Sequence, residues 1–121
     1  MTGLSVSDAA AKVGLTPHTL RWYEQEGLVE PVLRDTAGRR RYQPADLERL
    51  DLLTKLRSTG MSVRDMRRYA ELIAAGESTF AERLALLEAH RVRVVDRIAE
   101  LSRDLEIVDY KINLYRQSLS C

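Results

Sequence analysis

In the last third of the chain, Phe80, Leu84, Leu87, Arg91, Val94, Ile98, Leu101, Leu105, Val108, Ile112, Tyr115 and Leu119 alternate at spacings of four and three without a break. All but Arg91 are apolar, and such a run marks the seam of a coiled-coil helix. At about 1.5 Å per residue that helix is roughly 55–60 Å long. No other segment of the 121 residues offers a partner of that length. The seam is therefore expected to close against a second copy, with Leu84, Leu87, Val94, Ile98, Leu101, Leu105, Val108 and Ile112 as dimerisation residues. Thr79 and Glu82 read as a capping box opening the helix, so residues 77–121 form a dimerisation helix with a short tail.

Residues 1–76 carry different signals. Ser5 is placed to cap a helix over Val6–Val13, with Asp8 near its positive end and Gly14 as the left-handed residue that stops it. Thr16-Pro17 then opens a second helix through Glu24, stopping at Gly27. Two short helices joined by a Gly-containing turn make a helix-turn-helix candidate. In that motif the start of the second helix meets the bases, which here offers Thr16, His18, Thr19 and, one turn on, Arg21. Of the adjacent aromatics, Trp22 is read as mainly core and Tyr23 as a phosphate contact.

Pro31 to Tyr42 reads as a hairpin: Val32-Leu33-Arg34 out, Asp35-Thr36-Ala37-Gly38 as the turn, and Arg39-Arg40-Arg41-Tyr42 back. Strand alternation sends Arg39 and Arg41 to one face and Arg40 with Tyr42 to the other. An arginine-bearing arm beside a helix-turn-helix can grip phosphates, adding affinity without sequence information. Pro44 opens a third helix whose buried side is Leu47, Leu50, Leu53 and Leu56, ending at Thr59-Gly60. Ser62 caps a fourth with Val63, Met66, Ala70 and Ile73 inward, closed by Gly76. Arg57, Arg64, Arg67 and Arg68 read as a solvated face, with phosphate contact as the alternative.

The segment Thr19-Leu20-Arg21-Trp22-Tyr23-Glu24, followed by Gly27-Leu28, Pro31, Arg34, Gly38, Arg40 and Tyr42, resembles the signature of the MerR family of bacterial transcription regulators, continuing through Asp46-Leu47 and Gly60-Met61-Ser62. The resemblance implies an all-α fold with a small β wing: a winged helix-turn-helix DNA-binding domain (1–76) followed by the coiled-coil helix. It implies that Arg21, Tyr23, Arg34 and Arg40 touch DNA, and His18 stands where several relatives carry a basic contact. Trp22 replaces the commoner Tyr or Phe, and Arg39 an often aromatic or apolar residue. It also implies an antiparallel homodimer on a pseudo-palindromic promoter site with an unusually long spacer, distorted so that RNA polymerase engages both elements. The DNA-binding set is thus Thr16, His18, Thr19, Arg21, Tyr23, Arg34, Arg39, Arg40 and Tyr42.

Other classes recede. Nineteen Lys and Arg against eighteen Asp and Glu give a net +1, and hydrophobic residues make up 45%, so no global field names a partner. No apolar run approaches the roughly 18 residues of a membrane span, and Met1–Ser5 lacks the features of a signal peptide, which makes the cytoplasm the expected compartment. The single cysteine, Cys121, cannot build a multi-thiolate metal site within one chain and reads as an ordinary terminal thiol. The resemblance is to compact members without a separate effector domain; their aldehyde- and electrophile-responsive branch carries a reactive cysteine where Lys55 stands here. His18 and His90 accompany no nucleophile motif or phosphate loop, so neither catalytic residues, metal nor cofactor are expected. The alternatives are an effector-independent architectural or developmental DNA-binding protein and, more distantly, a coiled-coil adaptor.

Overall fold

The computed structural model describes residues 3–29 and 32–120; the readings of Pro31 as the start of the wing and of Cys121 as an ordinary thiol fall outside them. The described chain is helical with a short antiparallel hairpin: α1 (Val6–Val13), α2 (Pro17–Gln25), α3 (Pro44–Ser58), α4 (Val63–Ala74), a 3-10 turn (Glu77–Thr79) and α5 (Phe80–Ser120). It divides into two compact units, one reaching Leu86 and the other starting at Leu87.

In the first unit the caps stand where the side chains demand them. Ser5 Oγ accepts the Asp8 N–H at 3.2 Å, Thr16 Oγ1 the Thr19 N–H at 3.2 Å and Ser62 Oγ the Asp65 N–H at 3.1 Å, each satisfying a donor that a helix start leaves open. Gly14 sits at φ 73° and closes α1, a backbone region that costs glycine nothing. α1 packs on α2 and α3, and α3 on α4. Their core is Ala9, Ala10, Leu20, Tyr23, Leu28, Val29, Val32, Tyr42, Leu50, Leu53, Leu56, Met61, Met66, Tyr69 and Leu72.

Three expectations need correction. Leu47 is only half-buried, so the core side of α3 begins one turn later. On α4 the buried residues are Met66, Tyr69 and Leu72, because Tyr69 and Leu72 remove more apolar area from water than Ala70 can; Val63, Ala70 and Ile73 flank that stripe half-buried. Thr79 does not open α5 through a capping box. Its buried hydroxyl donates to the Leu72 carbonyl at 2.6 Å, with the Gly76 carbonyl 2.8 Å away. It serves the carbonyls left open at the end of α4, while Glu82 meets Arg68 at 3.2 Å. Arg83 completes that joint: its guanidinium donates to the Gly76 carbonyl at 2.8 Å and to Thr79 Oγ1 at 3.0 Å, and lies over the Phe80 ring.

The second unit is the remainder of the 41-residue helix α5. Ile98, Leu101, Leu105, Val108 and Ile112 stand 42–58% exposed in the single chain. Leu87 and Val94 are half-buried, and Leu84, back in the first unit, is exposed. Among the described residues no helix is long and apolar enough to cross a membrane.

Candidate nucleic-acid interface

The candidate surface is built by α2 and the hairpin. Along α2, His18, Arg21 and Gln25 are exposed, and their spacing of three and four puts them on one face. Thr16, at the entry, is exposed and Thr19 half-buried; the Thr16 hydroxyl donates to Thr19 Oγ1 at 3.0 Å. This face therefore combines a guanidinium, an imidazole, an amide and two hydroxyls, all groups able to bond base edges or phosphates.

The hairpin is pinned by its turn. Asp35 N–H donates to the Arg39 carbonyl at 2.9 Å, Gly38 N–H to the Asp35 carbonyl at 3.0 Å and Arg41 N–H to the Leu33 carbonyl at 2.7 Å. Gly38, at φ 80°, supplies the left-handed residue needed there. Asp35 Oδ1 accepts the N–H groups of Arg39 at 3.0 Å and Ala37 at 2.9 Å, and the Arg39 bond foremost holds its carboxyl below the usual range. Tyr42 exchanges backbone hydrogen bonds with Leu4, an edge partner ahead of α1 that the sequence reading lacked. Arg34, exposed, donates to the Gly38 carbonyl at 2.8 Å, and Arg39 is exposed. Arg41 faces Asp35 Oδ2 at 3.5 Å.

Three proposed DNA contacts are not on that open surface. Tyr23 is 1% exposed while Trp22 is half-buried, reversing the expected roles. The Tyr23 ring fills the core of the first unit, and Trp22 lies at its edge under the Arg57 guanidinium, 5.0 Å from the ring centre. Tyr42 is also 1% exposed; burial first, and then Glu24, pushes its hydroxyl above the usual tyrosine range. Arg40 shares the inward face of the hairpin with Tyr42, as alternation requires, and its Nε donates to Glu24 Oε2. Of the other arginines, Arg67 pairs with Glu26 and Arg68 with Glu82 and Glu71, while Arg64 is exposed. Lys55 meets Asp51 at 2.7 Å on the surface of α3.

Residues 4–72 match the MerR HTH family regulatory protein model, and residues 47–105 the MerR DNA-binding model. The chain belongs to the MerR family. It is 42% identical over 114 residues to an uncharacterised HTH-type transcriptional regulator of Haemophilus influenzae, covering 94% of this chain and 84% of that protein. Its structure is similar to that of HiNmlR, a MerR family regulator lacking the sensor domain and bound to promoter DNA, with TM-score 0.88 and 41% identity over 100% of this chain and 95% of that one. A MerR family transcriptional regulator from Listeria monocytogenes superposes with TM-score 0.89 at 31% identity, over 93% of this chain and 86% of the other.

This MerR-family chain is thus a DNA-binding transcriptional regulator, and its open basic face on α2 beside an arginine-bearing wing is of the right chemistry for the task. Sequence reasoning missed what holds the two together. Glu24 belongs to the quoted signature yet received no role, because a glutamate one turn after Arg21 signals nothing until the hairpin folds back onto it.

Proposed function

We propose that the regulator works in the cytoplasm as a homodimer, its two α5 seams paired antiparallel, and that each copy lays the exposed face of α2 in a major groove. Thr16, His18, Thr19 and Arg21 meet base edges, with Arg21 the strongest reader through its forked donors. Arg34 and Arg39 of the wing lie along the flanking phosphates. Two copies then read a pseudo-palindromic site whose half-sites lie a whole number of helical turns apart. Distorting the duplex between the half-sites brings two promoter elements into reach of RNA polymerase, so the cost of deforming DNA becomes the regulatory variable. No catalytic group, resident metal or cofactor has a part in this.

The observation that carries the reading is the α2 face itself: Arg21 and His18 stand open to solvent on the helix whose apolar side, Leu20 and Tyr23, is locked into the core. The test is footprinting of the full chain on duplexes selected from genomic DNA. Two protected half-sites centred about 10 bp apart or a multiple of it are expected. Uniform, salt-sensitive coverage with no selected sequence would mean that the face binds phosphate alone.

A further inference from the structure

The wing is tied to α2 through one carboxylate. Glu24, in the last turn of α2, receives both arms of the hairpin: its Oε1 accepts the Val32 N–H at 3.4 Å, and its Oε2 the Arg40 Nε–H at 2.5 Å. The side chains of Arg40 and Glu24 are only 20% and 13% exposed, so the pair is screened far less than a surface ion pair. Val32, which bonds Glu24, and Tyr42 are 5% and 1% exposed. Among the described residues, the outward arginines of the hairpin, Arg34 and Arg39, have no comparable tie to α2.

We infer that Glu24 is the positioning residue of the DNA interface: with Arg40 it forms a latch that fixes the wing against the recognition helix, and Arg40 acts inward rather than on a phosphate. The inference rests on reading α2 and the wing as the DNA-binding elements. Val32 and Tyr42 root the base of the hairpin in the core, and Tyr42 pairs with Leu4. Glu24 is the α2 side chain that bonds both arms, so it sets how the arms that carry Arg34 and Arg39 lie against α2.

The distinction is measurable because a phosphate contact by Arg40 needs no Glu24, whereas a latch needs both partners. If Arg40 held a phosphate, removing it would lower the slope of log affinity against log salt by about 1, and removing Glu24 would not. Removing either half of a latch loosens the same wing, so affinity and slope change alike in the two variants. Fluorescence anisotropy of the full chain on a selected duplex and on a random-sequence duplex, over a range of salt, should show Arg40→Ala and Glu24→Gln each about tenfold weaker on the selected duplex, with equal slopes. The double variant should be no weaker than either alone, and the swap of Glu24→Arg with Arg40→Glu should recover most of the loss. Hydrogen exchange of the Arg41 amide, which bonds Leu33 across the hairpin, should quicken in both single variants and slow again in the swap, with or without DNA. A slope lower by about 1 in Arg40→Ala than in Glu24→Gln, a Glu24→Gln variant that binds like wild type, or a swap worse than Arg40→Ala would overturn the latch. If wild type itself shows no preference for selected DNA, sequence reading by α2 fails, while the exchange data still decide whether the latch exists.

Discussion

The first unit buries a core of its own, whereas the distal part of α5 leaves most of its apolar residues exposed. Leu50, Leu53, Met66 and Tyr23 are at most 1% exposed, while Leu101, Leu105 and Val108 are more than half exposed. The same kinds of side chain thus have opposite fates within one chain. The packed unit specifies its shape through local caps and a shared core. An isolated helix of this kind gains little in water without an apolar face to pack on. In the proposed dimer, the reading surface is a property of one chain, whereas the spacing between two such surfaces belongs to the pair.

Substitutions in the two regions should therefore fail in different ways. The largest effect is expected from Leu101→Asp, which in the proposed dimer sets two unpaired carboxylates in the seam at a cost of several kcal/mol. Sedimentation should report monomers and circular dichroism a loss of α5 helix, yet the melting of the first unit should be unmoved. Leu50→Ala reverses the pattern. Emptying a fully buried site costs about 2–5 kcal/mol and should lower the melting temperature of the first unit by about 10 °C or more, with the dimer intact below it. Arg21→Ala sharpens the comparison from the DNA side. It should cost about 1–3 kcal/mol on a selected duplex and less on random DNA, leaving both melting and assembly as they were; an equal loss on both DNAs would make Arg21 a phosphate residue.

The smallest effect is expected from Tyr42→Phe. The Tyr42 hydroxyl is buried and makes no hydrogen bond among the described residues, so its removal should change stability by no more than about 1 kcal/mol and in the favourable direction. Its alkaline signature is the clearer readout. Burial raises the pKa of Tyr42 above its unfolded value of 10.0, so the native state holds the proton longer than the unfolded one. The associated stability is complete below pH 10 and falls as pH rises from there towards the native pKa. Denaturant melts between pH 9 and about 11 should fall less steeply for Tyr42→Phe than for wild type.

Much of the first unit was legible because its signals are local. Ser5, Thr16 and Ser62 announce helix starts, Gly14 a stop, and Asp35 with Gly38 a turn, each through bonds spanning three or four residues. What escaped depends on contacts across the fold. Whether Trp22 or Tyr23 turns inward is decided by the core that closes over α2, not by the pair itself. The Thr79–Glu82 spacing fits a capping box, yet the nearby open end of α4 offers Thr79 better acceptors. Arg40 looks like a phosphate residue in sequence, and only the return of the hairpin to Glu24 gives it an internal partner. The apolar spacing of α5 was read directly from the sequence, and what covers those residues is a matter for the proposed pairing, since most of them stand exposed in the single chain.

The central claim, that two copies joined along α5 read one promoter site, is tested most directly by the stoichiometry of the complex. Sedimentation velocity of the full chain with a labelled duplex from genomic selection should show two chains on one duplex, and Leu101→Asp should abolish that species at the same protein concentration. One chain per duplex, or a two-chain complex that survives Leu101→Asp unchanged, would contradict it.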